Sequence, residues 1–242
     1  MSGTTAEISS SISSLMEEFN IITHNLANVS TTGYKRRCTA FSKALKAAQS
    51  GDDPQEQISI DAVFDFSQGN LIQTDRKLDV ALVGKGFFVI ETPQGPLYTR
   101  NGIFMANQNG QIVDSLGRTV AGQGGPISIP AELGTSGLYI SDNGAISAGD
   151  VQIGKFRIVD FGEDVHKLDS VGDGCYTMTD ENVTPVDAQE VVVKQSYQES
   201  SNVTMIEELV NMIMVSRLYE ANIKAMSAQS EASSSLLSAA GA

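Results

Sequence analysis

The stretch that decides the fold lies near the start of the chain, where residues 8–37 read ISSSISSLMEEFNIITHNLANVSTTGYKRR. Its large apolar residues follow one another at alternating intervals of four and three positions, the heptad spacing of a helix that packs against a second helix. They are Ile8, Ile12, Leu15, Phe19, Ile22, Leu26 and Val29. The stretch therefore predicts an amphipathic helix over about residues 7–28, with an apolar seam that another helix covers.

The polar residues that follow this seam predict the end of the helix. Side chains of Asn, Ser and Thr form local hydrogen bonds that compete with helical ones, and Gly33 offers a residue that can turn the chain at positive φ. The basic triplet Lys35–Arg37 comes next. Two interpretations of this triplet stay open, namely a solvated turn or a charged contact with an acidic neighbour.

A second heptad seam runs near the other end of the chain. Its members are Met205, Leu209, Met212, Ser216, Tyr219, Ile223 and Met226, and a parallel apolar row of Ile206, Val210 and Ile213 widens that face. Thr204 and Glu207 have the spacing of a capping box, which predicts where this helix begins. The two terminal helices are expected to pair with each other as a coiled coil.

The middle of the chain has a different pattern. From Ile58 onward apolar residues alternate with polar ones, as in half-buried strands, and turn signals recur every 8 to 12 residues. Strand-like runs cover 78–83, 87–91, 97–100, 111–114, 138–141, 151–160 and 189–193. Asn-Gly pairs at 101–102, 109–110 and 143–144 predict type I′ hairpin turns, in which both residues take positive φ.

This pattern predicts an α+β fold, in which a central all-β domain is flanked by the two helices. The predicted divisions are an N-terminal helix, turn and arm over 1–57, a β domain over 58–195, and a C-terminal helix over 196–242.

Charge and hydropathy exclude several classes of function. The formal net charge of −13 argues against nucleic acid as a partner, since such proteins need a basic surface. The chain lacks a run of about 20 apolar residues, so no membrane insertion is expected. The first residues also lack the basic and apolar regions of a secretory signal, so a cleaved signal peptide is not expected.

The residues that usually carry chemistry form no motif. The two cysteines, Cys38 and Cys175, are far apart, which neither supports nor excludes a disulfide but favours free thiols. Gly84-Lys85-Gly86 lacks the longer pattern of a phosphate-binding loop. No catalytic, cofactor-binding or metal-binding residues are predicted, and the chain is not expected to be an enzyme.

Three stretches in the right order resemble the signatures of the bacterial flagellar rod and hook protein family. They run from Asn25 to Lys35, from Leu71 to Val89 with a continuation from Tyr98 to Phe104, and from Ser201 to Asn222. The signature residues are Asn25, Leu26, Ala27, Asn28, Thr32, Gly33, Tyr34, Leu78, Asp79, Gly84, Gly86, Phe87, Phe88, Tyr98, Thr99, Arg100, Gly102, Asn202, Val203, Glu208 and Tyr219. Within the family the stretch over 123–130 is most similar to the proximal-rod type, and a distal-rod or hook-type subunit is the alternative.

The resemblance implies a structural subunit of the basal-body rod, which assembles through its terminal helices into a helical tube that transmits torque. It further implies that the partners are copies of the chain itself, other rod subunits and the flagellar type III export apparatus. The implied location is the periplasm-spanning rod, reached without a cleaved signal peptide. A β-rich adhesin with helical ends, or a hydrolase that uses acidic loop residues, are the competing hypotheses from other classes.

Overall fold

The computed structural model describes residues 2–39, 62–130, 134, 137–180 and 182–240. The predicted arm after Thr39 and the strand-like alternation at Ile58–Ile60 lie outside the described residues. Contacts within the chain divide it into two compact units. The helical unit comprises Met1–Asn28, Arg37–Asp65 and Val203–Ala242, and the β unit comprises Val29–Arg36 and Phe66–Asn202.

The helical unit is built from the two ends of the chain. Helix α1 spans Ser2–Ala27 and helix α2 spans Met205–Ala240, so both predicted helices are confirmed. Helix α2 begins directly after Thr204, where the backbone N–H of Glu208 donates to the Thr204 carbonyl at 3.1 Å. Strands β1 (Arg36–Thr39) and β2 (Ala62–Asp65) form a two-stranded ribbon, and the division between the units falls at Arg36.

A large antiparallel sheet forms most of the β unit. Its order is β15 (Leu168–Gly172), β16 (Cys175–Met178), β6 (Gly95–Thr99), β5 (Phe87–Thr92), β9 (Thr119–Gly122), β8 (Ile112–Val113) and β7 (Met105–Ala106). Strand β10 (Gly125–Pro126) pairs with β9, and β14 (Ile158–Asp160) lies between β5 and β17 (Val186–Asp187) and pairs with both. The sheet therefore branches at β5, which pairs with three different strands.

Smaller antiparallel pairings complete this unit. Strands β11 (Leu138–Ile140), β12 (Ala145–Ala148) and β13 (Val151–Lys155) form a three-stranded sheet. Strand β4 (Val80–Val83) pairs with β18 (Val192–Gln195), and β3 (Leu71–Gln73) pairs with β19 (Tyr197–Glu199). A short 3₁₀ helix covers Gly162–Lys167. The prediction of a mainly β middle between two terminal helices is confirmed.

Two adjacent phenylalanines on β5, Phe87 and Phe88, pack on opposite faces of the sheet. Successive side chains of a strand point to opposite faces. Phe88 packs edge-on against Phe104 and Phe156, at ring-centroid distances of 5.1 and 5.5 Å, in the main core. Phe87 packs against Phe66 at 5.3 Å on the other side, in a second aromatic cluster with Tyr176 and Phe161. Both faces of β5 are therefore buried.

The predicted type I′ turns at the Asn-Gly pairs are wrong. Among the described residues, positive φ outside glycine occurs only at Asp173 and Ser196, so the asparagines of these pairs do not adopt it. In the turn between β11 and β12, Gly144 has positive φ and its N–H donates to the Ser141 carbonyl at 2.8 Å. The Asn143 side chain accepts the Ala145 N–H at 3.0 Å, so a side-chain bond stabilises a different turn.

Candidate functional site

A buried charge cluster of Lys35, Arg100 and Glu199 lies in the β unit. The Lys35 ammonium donates to Glu199 Oε1 at 2.7 Å and to the Ser67 carbonyl at 2.6 Å. The backbone N–H of Gly69 donates to the same Glu199 oxygen at 3.0 Å. The side chains of Lys35 and Glu199 are both 0% exposed. Of the two interpretations of the basic triplet, the contact with an acidic neighbour is correct for Lys35, and a solvated turn is not.

Arg100, which directly follows strand β6, completes this cluster. Its Nη1 lies 3.6 Å from Glu199 Oε2, an ion pair slightly longer than a hydrogen bond. Its Nη2 donates to the Gly84 carbonyl at 2.7 Å, and its guanidinium carbon stands 5.4 Å from the centre of the Phe87 ring. Burial lowers the pKa of Arg100, and the charges of Glu199 and Asp160 act in the opposite direction. The guanidinium is therefore held in place by an acid, a carbonyl and an aromatic face.

Gly33 lies where the N-terminal segment passes close to the backbone of Arg100 and Asn101. It has φ of +70°, and its N–H donates to the Glu199 carbonyl at 2.7 Å. A Cβ at this position would lie 2.5 Å from the backbone nitrogen of Asn101 and 2.7 Å from the carbonyl carbon of Arg100. Backbone atoms cannot move aside as a flexible side chain does, so both the dihedral angle and the space require glycine.

The segment over 196–202 is tied to two other parts of the chain. The Asn202 side chain accepts the Arg36 N–H at 2.7 Å and donates to Ser67 Oγ at 3.0 Å. Gln198 Nε2 donates to Asp79 Oδ2 at 2.7 Å, and Asp79 is fully buried. The last residues of the β unit are thus bonded to the residues that follow α1 and to the segments around Ser67 and Asp79.

Most other signature residues of the middle are packing residues. Leu78, Phe87, Phe88, Tyr98 and Thr99 are buried, and Gly84 and Gly86 have positive φ. Gly102 lies against the Val80 carbonyl oxygen with no room for a Cβ. The signature in the middle of the chain therefore specifies the interior of the β unit.

Within the helical unit, Asn25 links α1 to the ribbon and to α2. Asn25 Oδ1 accepts the Arg37 N–H at 2.8 Å, and Nδ2 donates to the Arg37 carbonyl at 2.8 Å. Nδ2 also lies 3.4 Å from Glu208 Oε1. Asn25 and Glu208 are both buried, so a polar pair lies in the contact between the helices, at positions outside the predicted apolar seams.

The two helices run antiparallel. Ser11 lies 14 residues before Asn25 on α1, and its partner Asn222 lies 14 residues after Glu208 on α2, with 3.4 Å between Asn222 Nδ2 and Ser11 Oγ. Among the side chains of α2 that the structure describes, Glu208 and Val215 are buried, whereas Met205 and Leu209 of the predicted seam are exposed. The side of α2 that faces α1 is thus rotated from the predicted seam.

The remaining predicted seam and signature residues of the helical unit are distributed as follows. On α1 and just after it, Ile22 is buried, Ile8, Ile12, Leu15, Leu26 and Asn28 are half-buried, and Phe19 and Ala27 are exposed. On α2 and just before it, Val203 is buried, Met212, Ser216, Ile223 and Met226 are half-buried, and Tyr219 is exposed. Two signature residues of the β unit, Thr32 and Tyr34, are half-buried.

Two apolar surfaces are exposed among the described residues of the helical unit. An open groove of about 430 Å³ runs between α1 and α2. Its apolar lining comes from Leu15, Met16, Phe19, Val215 and Tyr219. The second surface, named here the α2 stripe, consists of Ile206, Val210 and Ile213, and Ile206 is 74% exposed. Exposed apolar patches are often found where a protein binds another protein.

Among the described residues no group of three or more His, Cys, Asp or Glu side chains could hold a metal ion. The charged groups at the cluster are engaged with one another and with backbone carbonyls. No helix among the described residues is long and apolar enough to cross a membrane.

The two cysteines form no disulfide with each other and lie in different surroundings. Cys175 is buried, and its Sγ accepts a hydrogen bond from Arg118 Nη2 at 3.1 Å. Burial raises the pKa of the Cys175 thiol, although Arg118 acts in the opposite direction. Cys38 is half-buried.

We expect a maleimide reagent to modify Cys38 at least about 100-fold faster than Cys175 in the folded chain at pH 8, because only the thiolate reacts and it must be accessible. Mass spectrometry of the parent chain and of a Cys38→Ser variant measures the two rates. Denaturation in urea should make the rates similar. Equal rates in the folded chain would contradict the burial of Cys175.

The comparisons with known proteins agree with one another. Residues 81–148 match the family model described as flagellar hook protein FlgE/F/G D1 domain. Residues 194–239 match the model described as flagellar basal body rod FlgEFG protein C-terminal. The first match covers much of the β unit, and the second covers nearly all of α2.

The relatives that match most of the chain are flagellar basal-body rod proteins of two kinds, FlgG and FlgF. The chain is 33% identical over 235 residues to the flagellar basal-body rod protein FlgG of Buchnera aphidicola subsp. Acyrthosiphon pisum, covering 86% of this chain and 88% of the relative. It is 33% identical over 242 residues to FlgG of Agrobacterium fabrum, covering 88% and 90%. It is 30% identical over 226 residues to the flagellar basal-body rod protein FlgF of Caulobacter vibrioides, covering 91% of each. The chain belongs to the flagellar basal-body rod protein family and is a structural subunit of the rod.

Proposed function

We propose that the chain polymerises through its helical unit, and that the α2 stripe is a contact between neighbouring subunits. The observation that carries this proposal is the exposure of Ile206, Val210 and Ile213 on one face of α2, away from the buried Glu208 and Val215. Three large apolar side chains in a row are unfavourable in water, and burial against a neighbour would stabilise the polymer. The match of 194–239 to the rod family model covers the same helix.

The pairing of α1 with α2 is proposed to be a short antiparallel coiled coil. The antiparallel contacts Asn25–Glu208 and Ser11–Asn222 support it, and so does the heptad spacing of the half-buried residues. A polar pair inside such a contact favours one register over others, at some cost in stability. The helices would then present the groove and the α2 stripe in fixed positions.

The groove between α1 and α2 is the proposed receptor for the α2 stripe of the next subunit. A contact between two different surfaces of identical subunits is head-to-tail, and it generates a helical tube when the rotation does not close into a ring. Such a tube would transmit torque as a rod does. We propose further copies of the chain and other rod subunits as its neighbours.

Three finer features of the rod role are proposed from family membership. The chain is exported by the flagellar type III apparatus, it reaches the periplasm-spanning rod without a cleaved signal peptide, and it has no enzymatic activity. The assignment to the proximal-rod type stays a prediction, because the relatives include both FlgG and FlgF proteins.

The experiment is to replace Ile213 by Asp in the chromosomal gene of a motile strain. Ile213 is exposed in the single chain, so the free energy of unfolding of the variant should lie within about 0.5 kcal/mol of the parent's value in urea unfolding. Assembly should fail, because a carboxylate buried at the contact would lose its hydration without gaining a partner. Motility on soft agar and the amount of chain in purified basal bodies measure the effect.

The matched control is Ala225→Asp, which adds the same charge at an exposed position of α2 outside the stripe. We expect this variant to assemble and swim normally. Secreted chain is quantified in both strains, so that a failure of export is recognised separately. A motile strain that carries Ile213→Asp would show that the α2 stripe is not an assembly contact.

A further inference from the structure

Three segments of the β unit that are distant in sequence contribute one charged residue each to the buried cluster. Lys35 comes from the N-terminal segment 29–36, Arg100 from the middle of the chain, and Glu199 from the segment 196–202. Lys35 and Glu199 are 164 positions apart. The cluster therefore exists only when all three segments are in place.

The backbone pairing of the C-terminal segment does not involve the N-terminal one. Strand β19 pairs with β3 over Tyr197–Glu199. Backbone bonds extend this pairing on both sides, since Ser196 N–H donates to the Asp79 carbonyl at 2.7 Å and Ser200 N–H donates to the Asn70 carbonyl at 2.8 Å. All of these partners belong to the middle of the chain, so the segment 196–202 can dock without residues 29–36.

The N-terminal segment depends on the C-terminal one. Gly33 N–H donates to the Glu199 carbonyl, and Arg36 N–H donates to Asn202 Oδ1, each at 2.7 Å. The Lys35 ammonium is fully buried next to the Glu199 carboxylate. A cation buried without its acid is strongly unfavourable, and Arg100 nearby would add a second positive charge to the same site.

We propose that the β unit closes in a fixed order, in which segment 29–36 docks only after segment 196–202 has brought the Glu199 carboxylate into the site. Glu199 is thus a positioning residue for the N-terminal segment, while its own segment is held by backbone pairing. The consequence is that the residues directly after α1 stay undocked until residues near the start of α2 are in place. The proposal is independent of the assembly contacts proposed above.

The test compares the full chain with a Glu199→Gln variant of nearly the same shape. Acylation of Lys35 by an N-hydroxysuccinimide ester, read by mass spectrometry with Lys194 as internal reference, reports docking of segment 29–36. Hydrogen exchange at the Ser196 and Ser200 amides reports docking of segment 196–202. We expect Lys35 to react about 100-fold faster or more in the variant, and the two amides to stay within about 10-fold of the parent.

The control is Glu190→Gln, at an exposed position of the same unit, for which both readouts should match the parent. Unchanged Lys35 reactivity in folded Glu199→Gln would overturn the proposal. Equal loss of protection at Ser196 and Ser200 would also overturn it, because Glu199 would then hold its own segment instead.

A second measurement does not depend on the variant folding. The parent chain is refolded from urea, and short pulses of acylation and of hydrogen exchange are applied during refolding. Ser200 should become protected before Lys35 loses its reactivity, or together with it. Loss of Lys35 reactivity before protection of Ser200 would overturn the order.

Discussion

Replacing Lys35 by Met is expected to lower the free energy of unfolding of the β unit by about 3–5 kcal/mol, the usual cost of removing one partner from a buried ion pair. The Glu199 carboxylate would remain fully buried, with the Gly69 N–H at 3.0 Å and the Arg100 guanidinium at 3.6 Å. Urea unfolding, followed by the near-ultraviolet circular dichroism of the buried Tyr98 and Tyr176, measures the loss.

The matched control for this variant is Lys194→Met. Lys194 pairs with Asp142 at 3.5 Å, but both side chains are substantially exposed. Exposed pairs contribute about 0–1 kcal/mol, so the control should unfold close to the parent. Equal losses from the two lysine substitutions would mean that Lys35 is not held in a buried ion pair.

Replacing Gly33 by Ala is expected to have the second large effect, a loss of about 2–5 kcal/mol. Part of this is the strain of an L-residue at positive φ, about 1–2 kcal/mol, and the rest is overpacking of about 1–3 kcal/mol. The overpacking arises because the new methyl group would meet the backbone of Arg100 and Asn101. Urea unfolding of the purified variant measures the sum.

Gly117→Ala separates the two contributions. Gly117 has φ of +82°, close to the +70° of Gly33, but a Cβ there would meet nothing within 4 Å. This control should therefore lose only the strain of about 1–2 kcal/mol. A loss at Gly33 no larger than the loss at Gly117 would show that residue 33 does not pass so close to Asn101.

Features with a local periodic signal were predicted well. The strand-like runs 78–83 and 87–91 located β4 and β5, because a strand that is buried on both faces appears in the sequence as a short run of apolar residues. Both terminal helices followed from heptad spacing over many residues. In these regions the local pattern and the tertiary contacts favour the same structure.

The side of α2 that faces α1 could not be read from the same spacing. Two of its contact positions are the buried Glu208 and the paired Asn222, both polar, while Met205 and Leu209 are exposed. A hydrophobic pattern identifies the most apolar face of a helix. In α2 that face lies partly in solvent, where the proposed contact with a neighbouring subunit would bury it.

The buried charge cluster has no local signal at all. Lys35 and Glu199 lie in polar stretches of ordinary appearance, 164 positions apart, and only the fold brings them together. The resemblance included Arg100 among the signature residues but could not assign it a partner. A buried Lys next to a glycine that allows close approach is therefore a contact that the sequence alone does not predict.

The central claim, that the chain is a structural subunit of the rod, is tested most directly by its presence in the rod itself. Hook–basal bodies are purified from a motile strain that expresses this chain at its natural level, and their proteins are quantified by mass spectrometry. The account predicts the chain in constant proportion to the other rod proteins, and its loss from basal bodies of the Ile213→Asp strain. The claim would be contradicted if motile cells produced the chain but their purified basal bodies did not contain it.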